Sequence, residues 1–161
     1  MSPIPPPMSP DRFQMWVETR PPGPPLYALC IGNDTYAATF GPLVNCAKDA
    51  RHVAERVSSV SGASATSVTN LKDRASMQGA LEHFLDKIHR PPQVVLIYFS
   101  GHGVQEGDAI FLVPTGASPR SVQELREQCL SHDDVFRILK EKLEDRKVPD
   151  QGMRLVVLCA L

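Results

Sequence analysis

A chain of 161 residues is enough for one compact domain and short for two, and 42% hydrophobic residues can fill a core. A formal net charge of −1 gives no global attraction to nucleic acid or to an anionic membrane, so neither is expected as a partner. No stretch approaches the roughly 18 apolar residues that span a bilayer, and the N-terminus lacks the pattern of a signal peptide, so a soluble, cytoplasmic protein is expected.

Nine of the fifteen prolines fall within residues 1–25. Proline lacks the backbone donor and favours the extended polyproline conformation, so residues 1–25 are expected to form a flexible tail. Between its two proline clusters, Phe13, Met15, Trp16 and Val17 make an isolated apolar patch, read either as a linker with one sticky turn or as a docking segment.

The folded region, expected over 26–161, begins with a strand at Leu26 to Ile31, stopped by the turn residues Gly32, Asn33 and Asp34. Cys46, Ala50, Val53, Ala54, Val57 and Val60 recur at three and four, which is one face of a helix from Asn45 to Val60 with Asn45 as its cap. Ser64 to Leu71 reads as a weak strand. Asp73 then precedes a helix carrying Met77, Leu81, Phe84, Leu85 and Ile88 on one stripe.

The run Val94 to Phe99 is rich in β-branched and aromatic residues and reads as a strand buried on both faces. Ser100-Gly101-His102-Gly103 follows it directly, so a histidine sits where a buried strand leaves the core. In open α/β sheets that end of a strand is where ligands bind. A turn histidine with no chemistry is the plain alternative. The segment is not a dinucleotide loop, because its third glycine comes one residue late and Ala109 to Val113 reads as a second strand, giving a hairpin.

Pro114 to Gln128 is a long polar connection with one uncertain helical turn. Ser131-His132-Asp133-Asp134 resembles a capping box, opening a helix with Val135, Phe136, Leu139 and Leu143 turned inward. Arg154 to Ala160 is the last strand. Strands alternating with helices imply right-handed crossovers and a mostly parallel sheet covered on both sides. With no helix after it, the last strand is expected to leave an open apolar edge and one uncovered face.

Cys30, Cys46, Cys129 and Cys159 show neither C-x-x-C pairs nor zinc-like spacing, so neither a structural metal nor a disulfide framework is expected.

Four stretches together resemble the caspase-like cysteine peptidases (peptidase C14), on their metacaspase and paracaspase side: Tyr27 to Asn33, Leu43 to Ala50, Tyr98 to Gln105, and the hairpin end Leu112-Val113-Pro114. The resemblance is to the family's large-subunit (p20) portion. It implies a three-layer α/β fold, a mostly parallel sheet flanked by helices and incomplete at its C-terminal edge. It implies a cysteine-type endopeptidase acting on protein or peptide substrates. His102 matches the dyad histidine, and Gly103 the backbone donor to the oxyanion.

By the same likeness Cys46, Asp49 and Ser100 line a pocket for Arg or Lys on the acyl side of the cleaved bond. Asp49 is equally explained as an acid favoured in a helix's first turn. The family's nucleophile falls on Leu161, and Cys159 lies two residues earlier, displaced by about 6.6 Å at about 3.3 Å per residue. Two readings therefore stand: a peptidase domain whose catalytic end lies beyond this chain, or a catalytically inactive module that binds partners. The open edge would take a second copy or a small-subunit segment. No cofactor is expected; calcium activation, known among metacaspases, has no oxygen-rich loop to rest on here.

Overall fold

The computed structural model describes residues 25–37, 39–89, 91–145 and 153–161. The proline-rich segment therefore lies outside the described residues except Pro25, whose carbonyl accepts the N–H groups of Gln93 and Val94.

Four strands, β1 (Leu26–Gly32), β2 (Ala63–Thr69), β3 (Val94–Ser100) and β7 (Arg154–Ala160), form one parallel sheet in the order β2-β1-β3-β7. Their register is uninterrupted, so Thr69, Gly32, Ser100 and Ala160 end on one line. Alternation along the strands splits the sheet into two faces. Leu29, Ile31, Val95, Ile97 and Phe99 pack against α2 (Arg74–Asp86) and α4 (His132–Asp145), through Met77, Leu81, Phe84, Leu85, Val135, Ile138 and Leu139. Ala28, Cys30, Leu96 and Tyr98 face the other way, against Ala50 and Ala54 of α1 (Cys46–Ser58). These are the helix, sheet and helix layers expected of the caspase-like fold.

The hairpin β4 (Gly103–Glu106) and β5 (Ala109–Leu112) gains a third strand, β6 (Leu130–Ser131), in an antiparallel sheet of its own. That short strand is not legible in the sequence because it has only two residues, and the second of them, Ser131, also caps α4. The polar connection before it contains α3 (Val122–Gln128), with the Ser121 hydroxyl accepting the Glu124 N–H at 3.1 Å. Asp73 caps α2 reciprocally with Ser76. Ser131 does the same for α4, its Oγ accepting the Asp134 N–H at 3.1 Å while the Asp134 carboxylate accepts the Ser131 N–H at 3.3 Å.

One expected cap is corrected. Asn45 makes no side-chain capping bond. The first turn of α1 is met instead from the loop after β1, where Asp34 Oδ2 accepts the Ala47 N–H at 3.0 Å. Gly32 lets that helix come so close: a methyl there would meet the Cys46 carbonyl and lie 2.7 Å from the Ala47 Cα.

Among the described residues β7 pairs with β3 on one side only. Val156 and Leu158 are in register with Leu96 and Tyr98, on the face α1 covers elsewhere, yet Leu158 is 51% exposed.

Two outcomes follow from this packing. Gly32→Ala should cost about 1–3 kcal/mol in urea unfolding, because backbone rather than a flexible side chain would have to yield. Asp134 joins α4 to α2 through Arg74, at 3.0 Å, and also meets Arg137 at 3.2 Å. Partial burial pushes its carboxyl up, but hydrogen bonds from Ser131 and Arg137 and the charge of Arg74 outweigh that and hold it below the ordinary value. A carboxyl depressed in the folded state stabilises above its unfolded pKa and loses that contribution as pH falls through the folded value. Asp134→Asn should therefore cost about 1–2 kcal/mol at neutral pH, with the difference closing as pH falls below the ordinary carboxylate range in paired denaturation curves.

Candidate active site

Because the four strands end on one line, the residues after them meet at one edge of the sheet. The Asn33 N–H donates to the Ser100 carbonyl at 2.9 Å, and the Gly101 N–H donates to the Ala160 carbonyl at 3.2 Å. The exit of β3 is thus tied to β1 on one side and to β7 on the other. The Val113 N–H then donates to the His102 carbonyl at 3.0 Å, fastening the hairpin to the same turn.

The His102 ring is partly buried, with Nε2 2.9 Å from the Gly41 carbonyl. A carbonyl only accepts, so Nε2 must carry the proton, and in the neutral ring Nδ1 holds the lone pair. Such an imidazole can take a proton at Nδ1 while staying fixed at Nε2. Gly41 has φ +74, the left-handed conformation that glycine adopts without strain. Tyr36 and Phe40 flank the imidazole, with ring centroids 4.6 Å and 5.5 Å away.

Gly103 opens β4, opposite Leu112. A Cβ placed on it would lie 2.6 Å and 2.8 Å from the two terminal methyls of Leu161. The Leu161 side chain therefore rests against the residue that follows the histidine. Cys159 stands in the ladder opposite Phe99, with its side chain exposed. Partial desolvation of its sulfur raises the thiol's pKa, and nothing in the site lowers it, which leaves little thiolate.

Cys46 and Asp49 lie in the first turn of α1, and Ser100 ends β3. Cys46 begins α1 and is buried; Asp49, half-buried, lies within its first turn, where its N–H donates to the Asn45 carbonyl at 2.8 Å. Ser100 is buried at the last position of β3. Burial raises the Tyr98 phenol above its usual pKa; a hydrogen bond with the Ser100 side chain opposes this, and Asp49, Cys30 and Cys46 add to it. Among the described residues no group of three or more His, Cys, Asp or Glu side chains gathers that could hold a metal ion.

Sequence reasoning did not find Gly41, Phe40 or Tyr36, all in a loop without periodicity. The Gly41-Pro42 pair marks a turn, but nothing local says that its carbonyl meets a histidine 61 positions on. Asn70 was also missed. It adopts φ +56, and its side-chain oxygen accepts the N–H groups of Asp34 and Thr35 at 2.9 Å and 3.2 Å.

No curated protein matches the sequence. The family model of the caspase domain (peptidase C14) matches residues 26–158, from the first residue of β1 to within three residues of Leu161. That span holds the parallel sheet up to the last two residues of β7, both helical layers, the hairpin and the histidine turn, and the chain accordingly belongs to the caspase-domain family.

Proposed function

We propose that this domain is built for cysteine-type endopeptidase chemistry on protein substrates, with Arg or Lys on the acyl side of the cleaved bond, as in metacaspases. The observation that carries the reading is the bond from Nε2 of His102 to the Gly41 carbonyl, which leaves Nδ1 as the basic nitrogen. His102 takes the proton of an attacking thiol at Nδ1 and returns it to the leaving amine. The Gly103 N–H holds the tetrahedral oxyanion. Asp49, beside Cys46 and Ser100, receives the substrate's cation by a charge-assisted hydrogen bond.

One contact favours a second reading. The Leu161 side chain rests on Gly103, where the attacking sulfur would stand, and a hydrocarbon has no electron pair to give. In this reading the chain is a catalytically inactive caspase-like module. It keeps the pocket and adds a strand at the edge of β7, from a second copy or from a small-subunit-like segment. The four cysteines are free, which suits the reducing cytoplasm.

Fluorogenic peptides ending in Arg or Lys should show no His102-dependent turnover by the unaltered chain; turnover lost in His102→Ala would remove the inactive reading. The Leu161→Cys variant should be alkylated by iodoacetamide at least about tenfold faster than the unaltered chain with its Cys159, because a neighbouring imidazole raises the thiolate fraction. His102→Ala in that background should abolish the gain, and equal rates with and without the histidine would remove the dyad.

Pocket charge is tested separately. Asp49→Asn should weaken binding of an Arg-ended peptide about tenfold, while leaving an Ala-ended peptide unchanged, as read by fluorescence anisotropy.

A further inference from the structure

We infer that Tyr36 is a positioning residue for His102: its hydroxyl fixes the histidine's main chain, and its ring limits the rotation of the imidazole. This deepens the reading of His102 as the base and rests on it.

Tyr36 is only 7% exposed and lies in the loop between β1 and α1. Its hydroxyl is 2.8 Å from the Val113 carbonyl and 3.0 Å from the His102 nitrogen. A phenol has one proton, and a carbonyl can only accept it, so the hydroxyl donates to Val113 and accepts the His102 N–H. One oxygen therefore ties the exit of β3 to the segment after β5.

The same residue meets the imidazole edge-on, with centroids 4.6 Å apart at 68°, while Phe40 closes the other side at 33°. An imidazole between two rings keeps the orientation in which Nε2 reaches Gly41. Gly101 admits the hydroxyl: a Cβ there would lie 2.5 Å from the Tyr36 oxygen. The first glycine of Ser100-Gly101-His102-Gly103 thus has a specific partner. Burial raises the Tyr36 phenol to about 12, against the opposing hydrogen bonds of His102 and Asn33, so it stays protonated and acts by position rather than by proton transfer.

The loop has other ties to the same region. The Ala37 N–H donates to the Thr115 carbonyl at 3.4 Å, and the Thr39 and Ser118 hydroxyls are 2.6 Å apart. Thr39→Ala therefore loosens the loop without touching Tyr36, and serves as the control.

The test uses the 161-residue chain, with the tautomer and amide exchange of His102 read by nitrogen-15 NMR. Tyr36→Phe, which removes one oxygen and keeps the ring, should speed His102 amide exchange about tenfold, the share of one ordinary hydrogen bond. It should also reduce the population protonated at Nε2. Phe40→Leu should disturb the tautomer while leaving the amide protected, separating the ring's part from the hydroxyl's. An unchanged amide and tautomer in Tyr36→Phe would overturn the inference, and so would an equal change in Thr39→Ala. If Tyr36→Phe does not fold, an unmoved tautomer in Phe40→Leu overturns the ring-based part, and an unprotected His102 amide in the unaltered chain overturns the hydroxyl's. None of these readouts needs turnover, so an inactive chain leaves the inference standing, and a working dyad with an unmoved His102 in Tyr36→Phe defeats it alone.

Discussion

The common line on which β2, β1, β3 and β7 stop is the constraint from which the rest of the molecule follows. Parallel pairing in unbroken register brings Thr69, Gly32, Ser100 and Ala160 side by side, so four chain segments leave the sheet at one edge. Their N–H and C=O groups would be orphaned there, and a buried orphan costs more than the bond it replaces returns. Neighbouring segments therefore bond across the edge: Asn33 to Ser100, Gly101 to Ala160, Asn70 to Gly32. The site is built from the same bonds that close the sheet.

Asn33 shows how closely stability and site are joined. It is fully buried, donating from Nδ2 to the Val113 carbonyl at 3.3 Å and accepting the Leu71 N–H on Oδ1 at 2.9 Å. One amide thus holds the loop after β1, the loop after β2 and the segment after the hairpin. Among the described residues no buried side-chain nitrogen or oxygen lacks a partner. With these buried side-chain groups committed, a histidine turn anchored to this frame loses little freedom that has not already been lost on folding, which is what a preorganised acid–base group requires.

The layers were legible in the sequence because each rests on a local pattern. The period of α1, the stripe of α2, the β-branched run of β3 and the capping box of α4 all agree with the packing they enter. His102 was legible too, since it follows a buried strand between two glycines. What was not legible depends on long-range closure. The cap of α1 comes from Asp34, thirteen positions before Ala47, because the chain returns there through Gly32 and not because Asn45 is unsuited to capping. Gly41, Phe40 and Tyr36 belong to a loop whose conformation is dictated by Val113, Thr115 and Ser118, more than seventy residues away. Cys46, Asp49 and Ser100 carried no such signal as single residues. They come to the same end of the sheet because α1 starts against Gly32, and Gly32 is level with Ser100.

Leu161, which the proposed reading sets at the thiol's place, is separable from this frame. Every hydrogen bond that orients His102 runs through main chain, Tyr36 or Gly41, and none involves the Leu161 side chain. Leu161 is 64% exposed and touches Gly103 only because that residue has no Cβ. Exchanging this one side chain therefore alters the chemistry while leaving the imidazole and the residues around Asp49 where they are. A stable fold with an ordered histidine is consequently no argument for turnover: the same bonds hold the site whether a sulfur or a hydrocarbon faces it. On the proposed reading, the shape of the site bears on what is bound, and the identity of a single exposed residue bears on whether it is cut.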